Sequence, residues 1–266
     1  MYLDYWGFEK FPFDNVPDPD FFYASEPHKE GLTRLIYAAE MRKGCAMLAG
    51  DIGCGKTTMS KVFLKRISEQ RYDVAIISNP SMGPKQLLQE VLYKFKITDI
   101  PENKFEILRE LHNKLTENMR KNKETILIID EAQLLSKETM EEIRLLLNFQ
   151  LSNRFLLTAF LLGQPELIEN IKRVKALEQR IAIRYFLKPF NFKETIKYIL
   201  FRQKKAGGRK NVYTRQAIEM VYKHSNGMPR SINNFCDMAL LVGFGQKTKM
   251  ITSAVIRDII EDGEIF

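Results

Sequence analysis

Apolar positions recur along this chain in two alternating rhythms. Short, near-continuous apolar runs lie at residues 45–49, 74–78, 126–129, 155–162 and 183–187. Runs of that kind suit parallel strands buried on both faces. Between them, residues 56–70, 84–96, 104–121, 137–150 and 165–173 carry apolar residues at helical spacing. This alternation predicts an α/β fold, a doubly wound parallel five-stranded sheet with crossover helices. Beyond Pro189 the strand signals stop. Residues 192–205, 214–224, 229–244 and 252–261 have helical periodicity only, which predicts a small all-helical lid domain.

The first 28 residues follow neither rhythm. Tyr2, Tyr5, Trp6, Phe8, Phe11, Pro12, Phe13, Pro17, Pro19, Phe21, Phe22 and Tyr23 crowd them with aromatics and prolines. Such a segment is expected to lie as an irregular strap over a body rather than to form a helix. Ser25-Glu26-Pro27-His28 then reads as a helix start, with Ser25 as N-cap and Pro27 in the first turn, and the helix runs to about Arg42. The predicted organisation is a strap over 1–28, an αβα domain over 29–189 and a lid over 190–266.

Chemistry enters at the end of the first strand. Gly50-Asp51-Ile52-Gly53-Cys54-Gly55-Lys56-Thr57 matches G-x-x-x-x-G-K-[ST], following a strand and opening a helix. In such a loop, glycines let backbone N–H groups wrap phosphates, and the helix N-terminus adds positive potential. The cofactor set read from it is Gly50 to Thr57 with Thr58, Lys56 reaching the β- and γ-phosphates of ATP and Thr57 ligating Mg²⁺. Cys54 sits at a variable position of the loop. Downstream, the strand Ile126-Leu127-Ile128-Ile129 ends in Asp130-Glu131. Asp130 is the second Mg²⁺ candidate, and Glu131 the group that polarises the attacking water.

Composition adds bounds rather than chemistry. At 266 residues and 45% hydrophobic, the chain needs no disulfide staple. Cys45, Cys54 and Cys236 have no close pairing or metal-ligand spacing, which reads as a reducing cytoplasm. The longest apolar stretch, 155–162, is far shorter than the roughly 20 residues of a membrane span. Asp4, Glu9 and Asp14 leave no basic signal-peptide start. The expected location is cytoplasmic, or peripheral at the inner membrane through a partner. A net charge of +8 makes DNA a candidate partner.

Several further motifs resemble a known family. Tyr2-x-x-x-Trp6-Gly7-Phe8, Pro12-Phe13, Pro17-Asp18-Pro19 and Ser25-x-x-His28 are similar to the start of ExeA/GspA-type AAA+ ATPases of general secretion pathways. The similarity continues through Asp130-Glu131-Ala132-Gln133, Glu141 to Asn148, Gly163 to Leu167, Gln179-Arg180-Ile181, Ala206-Gly207 and Gly227 to Asn233. It implies a P-loop AAA+ core with a helical lid. It also implies a homo-oligomer, ring or filament, assembling with ATP and acting on a protein client of an envelope machine. Longer members carry a transmembrane helix and a peptidoglycan-binding domain after the ATPase. This chain is expected to be a short form lacking both. Short relatives occur in pilus-assembly and polysaccharide-export clusters, and TnsC-type relatives regulate transposition on DNA.

The resemblance assigns further roles. Gln164 takes the sensor-1 position, or is a turn residue before Pro165. Arg180 takes the arginine-finger position, reaching a neighbour's nucleotide, with Arg184 as the alternative. Arg230, one residue after Pro229, is the sensor-2 candidate, or a solvated helix-start arginine. Asn79 either holds the catalytic glutamate until a partner binds or makes a turn before Pro80. Adenine is expected between strap and lid, with Phe13 and Tyr23 either lining it or packing the core. His28 reads as a helix-face residue. The cluster Arg202, Lys204, Lys205, Arg209 and Lys210 is either a solvated helix end or a contact for nucleic acid or phospholipid. Three functions compete: an ATP-driven switch of an envelope machine, a DNA-bound regulator, and a non-hydrolysing scaffold. Intact Lys56, Asp130 and Glu131 weigh against the last.

Overall fold

In the computed structural model, which describes residues 2–151, 154–261 and 263, the apolar runs form one 5-stranded sheet. Along the chain, α1 (Tyr2–Trp6) and a 3₁₀ turn (Pro19–Phe21) lead into α2 (Glu26–Glu40). Then follow β1 (Cys45–Gly50), α3 (Lys56–Arg66), β2 (Tyr72–Ile77), α4 (Pro84–Lys94), α5 (Lys104–Arg120), β3 (Glu124–Ile129), a 3₁₀ turn (Ala132–Leu134) and α6 (Lys137–Leu146). A short pair, β4 (Gln150–Leu151) and β5 (Arg154–Phe155), precedes β6 (Leu157–Gly163), α7 (Glu166–Lys172), α8 (Lys175–Glu178) and β7 (Ile181–Leu187). The helices α9 (Phe192–Lys205), α10 (Arg215–Ser225), α11 (Pro229–Gly245) and α12 (Ser253–Glu261) finish the chain. The predicted strap begins at Met1 and the predicted lid ends at Phe266. Residues 1, 262 and 264–266 lie outside the described residues.

The chain packs as two compact units. The described residues of Lys29–Ile52 and Met59–Leu187 make the sheet unit, and those of Met1–His28, Gly53–Thr58 and Lys188–Phe266 make the helical unit. In the sheet unit the strand order is β2-β3-β6-β1-β7 and every pairing is parallel. The strands β1 and β6 are buried at every position, because both faces are covered. One face packs Leu127, Ile129 and Leu161 against Leu87, Leu111 and Ile143. On β6 itself, Phe160 meets Phe63 with ring centroids 5.2 Å apart. Each such fully buried side chain contributes roughly 1.5–3 kcal/mol. Because the strands are parallel, Gly50, Ile129 and Gly163 all finish on one edge, with β6 between β1 and β3. In open parallel sheets that edge is where ligands sit.

Two local expectations are corrected. The helix predicted over 137–150 stops at Leu146. Asn148 N–H and Phe149 N–H donate to Leu145 O and Leu146 O, tightening the last turn, and Gln150–Leu151 then pairs antiparallel with Arg154–Phe155. That pairing is too short to leave a period in the sequence, and it removes Phe155 from the fourth run.

The strap is not wholly irregular either. Tyr2–Trp6 is helical, because the prolines begin only at Pro12 and Gly7, at φ +73°, ends the turn. Tyr2 and Trp6, one turn apart, are both buried in the helical unit. Trp6 Nε1 donates to Leu240 O at 2.9 Å and the Tyr2 hydroxyl donates to Asp237. Farther along, Arg202 donates to the Pro12 and Asp14 carbonyls and its guanidinium lies 4.6 Å above the Phe21 ring. Phe13 is 1% exposed and meets Tyr213 edge-on, which is the core-packing alternative. Tyr23 packs on Phe190, Tyr198 and Phe201.

Candidate nucleotide-binding site

The phosphate loop leaves β1 at Gly50 and ends where α3 begins, at Lys56. Gly53 and Gly55 have φ of +79° and +99°, backbone that L side chains rarely adopt. Gly53 also has a neighbour: a Cβ there would lie 2.6 Å from Arg230 Cβ. Arg230 N–H donates to Gly53 O at 3.2 Å, so the start of α11 rests on the loop. Pro229 opens that helix at its first position, as read from the sequence. Lys56 is buried, with Nζ 4.0 Å from Cys54 Sγ, while Thr57 and Thr58 are half-buried in the first turn of α3. Asp51 is half-buried and Ile52 exposed.

His28 belongs to this loop, which corrects its reading as a helix-face residue. It is 3% exposed, with Nδ1 2.8 Å from Ser25 Oγ and Nε2 3.0 Å from the Cys54 carbonyl. Burial pushes its pKa down to about 4, against the opposing effect of the Cys54 hydrogen bond. The signal in the sequence was the spacing Ser25-x-x-His28, one turn apart, but its target lies 26 residues downstream.

The acidic strand end lies in the sheet unit. Asp130 N–H donates to Ile77 O at 2.9 Å, continuing the β2–β3 ladder, and Asp130 Oδ1 accepts from Glu131 N–H at 3.0 Å. Glu131 sits at φ +53°, an uncommon conformation for a side chain of its size, which turns it out of the strand line. Two carboxamides meet its Oε2, Gln133 Nε2 at 2.6 Å and Gln164 Nε2 at 3.2 Å. Gln133 Oε1 accepts from Gln164 N–H at 3.0 Å, and Asn170 donates to Gln133 O. Gly163 makes room for this: a Cβ there would lie 2.9 Å from Gln133 Oε1. Sequence reasoning gave Gln133 no role. Asn79 follows β2 and its Oδ1 accepts from Ser81 N–H at 3.3 Å, a turn bond.

A sequence profile of the family described as AAA domain matches residues 39–171, half of the chain and all of the segment from β1 through β6. The chain belongs to the AAA domain family. It resembles general secretion pathway protein A of Aeromonas hydrophila, 33% identical over 254 residues, which are 94% of this chain and 46% of that protein. It is 27% identical over 132 residues to ATP-dependent target DNA activator B of Escherichia phage Mu, covering 49% of this chain and 39% of that protein. The matches span less than half the length of either relative. Among solved structures, the Aeropyrum pernix ORC2 protein superposes with a TM-score of 0.71 at 17% identity, over 95% of this chain and 71% of that one. The Thermotoga maritima RuvB branch migration motor gives 0.63 at 20%, over 95% and 73%. At those identities the likeness is one of fold, and it is the P-loop AAA fold with a helical portion.

The remaining site expectations fall on this AAA chain as follows. Arg180 precedes β7 on the strand-start edge of the sheet, opposite the edge that carries Asp130, Glu131 and Gln164. It is exposed enough to line a cleft of about 850 Å³ with Arg42, Lys43 and Arg154, and its Nη2 donates to Asn148 Oδ1 at 2.7 Å. Arg184, on the edge strand β7, is tied to Glu178 through Nη1 to Oε1 at 3.2 Å and Nη2 to the carbonyl at 2.8 Å. The basic cluster of the lid loses Arg202, which is buried beneath the strap, while Lys204 and Lys205 remain exposed. Among the described residues no helix is long and apolar enough to cross a membrane, and no group of three or more His, Cys, Asp or Glu side chains is placed to hold a metal. Mg²⁺ needs no such cluster, since one carboxylate, one hydroxyl and phosphate oxygens suffice as ligands.

Proposed function

We propose that this AAA chain binds Mg-ATP and hydrolyses it to ADP and phosphate, and that the cycle drives assembly or switching of a larger complex. The observation that carries the reading is Glu131: a carboxylate at the end of β3, held by Gln133 and Gln164, on the sheet edge where β1 enters the phosphate loop. The loop's positive-φ glycines and the α3 N-terminus suit phosphate oxygens. Lys56 binds the β- and γ-phosphoryl oxygens. Thr57 and Asp130 offer the hard oxygen donors that Mg²⁺ prefers, and the ion would neutralise charge building on those oxygens. Glu131 takes a proton from the attacking water, and Gln164 orients the carboxylate and the water beside it. Arg230 reports the nucleotide to the lid. Arg180 serves the nucleotide of a second copy, as its place on the opposite sheet edge suits. Asn79, at the end of β2, is a secondary candidate for holding Glu131.

The client is proposed from the relatives. Similarity along 94% of the chain to a general secretion pathway protein favours an envelope-export or pilus machine, with the protein cytoplasmic or peripheral through a partner. A second reading, ATP-dependent binding to DNA, is favoured by the target DNA activator relative and the charge of +8. Mg²⁺-dependent phosphate release by wild type and Lys56→Ala, each with and without duplex DNA, tests both. Release by wild type alone, indifferent to DNA, supports the first reading. Release or ATP-dependent assembly that requires DNA supports the second. No release under either condition overturns the ATPase reading.

A further inference from the structure

Ser25 and His28 bracket the first turn of α2, and His28 reaches the phosphate loop within the helical unit. The His28 ring is held between Phe190, 5.0 Å between centroids, and Phe22 at 5.8 Å, so it cannot swing freely. Its two nitrogens have one partner each, Ser25 Oγ and the Cys54 carbonyl. A carbonyl only accepts, so Nε2 carries the hydrogen and donates. In the neutral ring Nδ1 is then an acceptor, and the Ser25 hydroxyl donates to it. The relay runs one way: Ser25 Oγ–H to Nδ1, Nε2–H to Cys54 O.

We propose that His28 is a positioning residue of the phosphate loop, fixing the Cys54–Gly55 peptide so that the Gly55 N–H points to the phosphate side. The C=O and N–H of a trans peptide point in opposite directions. A donor fixed on the Cys54 carbonyl therefore sets the aim of the Gly55 N–H on the far side of that peptide. Gly55, at φ +99°, has no Cβ to restrict its own rotation. The imidazole also approaches closely, with Nε2 3.4 Å from where a Gly55 Cβ would stand. Without this bond the peptide can rotate its carbonyl toward the phosphates, exchanging a donor for a repelling acceptor. Ser25 acts one step back, by holding the tautomer.

The inference rests on the loop being the phosphate site, and the test separates the two ideas. His28→Leu keeps the bulk and removes the donor; His28→Gln can place an amide N–H near the position of Nε2. In the ligand-free protein, amide hydrogen exchange in the segment 53–58 should speed up in His28→Leu and return toward wild type in His28→Gln. With Mg-ATP as ligand, His28→Leu should bind about tenfold more weakly, the expected scale for one lost hydrogen bond to an aligned group. Its kcat at saturating ATP should stay within about twofold, and His28→Gln should recover most of the affinity. Unchanged exchange in His28→Leu overturns the proposal whether or not nucleotide binds. So does unchanged ATP affinity, or a His28→Gln protein as impaired as His28→Leu. If wild type binds no Mg-ATP, the ATPase reading fails and the exchange measurement alone decides the role of His28.

Discussion

Gln133 Nε2 donates to Glu131 Oε2 over 2.6 Å while Gln133 Oε1 accepts from the Gln164 backbone N–H at 3.0 Å. One carboxamide is thus used from both ends, which fixes which end is the nitrogen. It ties the proposed base to the end of β6. Gln133→Leu should lower kcat for ATP hydrolysis about ten- to a hundredfold, with ATP affinity changed by less than about threefold. Steady-state kinetics beside nucleotide titration reads this. Unchanged kcat would show that Glu131 needs no such anchor.

Arg180 and Lys56 are assigned to nucleotides of different copies. Arg180→Ala and Lys56→Ala should each lose most activity, on the order of a hundredfold or more. Mixing the two inactive proteins should restore part of it, because an Arg180→Ala subunit with a sound phosphate loop can receive the arginine of a Lys56→Ala neighbour. Mixtures as inactive as their components, at concentrations where wild type assembles, contradict the assignment in trans.

Arg202 is structural here and not part of a nucleic-acid patch. Its bonds to the Pro12 and Asp14 carbonyls join α9 to the strap. Arg202→Met keeps the stem and leaves the buried Pro12 carbonyl unmet, which should cost about 1–3 kcal/mol in urea denaturation. Lys204→Ala and Lys205→Ala, at exposed positions, should cost under about 0.5 kcal/mol. Equal effects at all three positions would reject this division.

His28 makes stability depend on pH. Its folded pKa is lowered to about 4 from 6.5, chiefly by burial. The unfolded chain therefore binds a proton that the folded chain refuses. The contribution is fully present above the unfolded value and fades as pH falls from 6.5 toward 4. Between about pH 7 and about pH 5, wild type should lose about 2 kcal/mol more than His28→Gln. Parallel denaturation curves at the two pH values measure it, and identical losses would contradict it.

How much of this was legible in the sequence varies with the range of the interaction. The strands β1, β3 and β6 show as apolar runs because a parallel strand is buried on both faces and its sequence needs nothing else. The phosphate loop shows because its glycines, lysine and threonine are neighbours along the chain. Glu131 shows for the same reason. His28 and Gln133 do not, since each acquires meaning from a partner elsewhere, the Cys54 carbonyl and the Gln164 N–H. Arg202 was grouped with nearby lysines because a sequence does not reveal which carbonyls a strap leaves open. The α1 turn and the β4–β5 pair are too short for either period to register. The α1 turn exists through tertiary contact, as the Trp6 bond to Leu240 illustrates.

The central claim is that Glu131 activates water against ATP held by the phosphate loop. It is tested most directly by a single-turnover experiment with Glu131→Gln. The variant should bind Mg-ATP at least as tightly as wild type, yet release phosphate about a hundredfold or more slowly, so that intact ATP is recovered from the protein. Wild-type turnover by Glu131→Gln, with ADP recovered at the same rate, would contradict it.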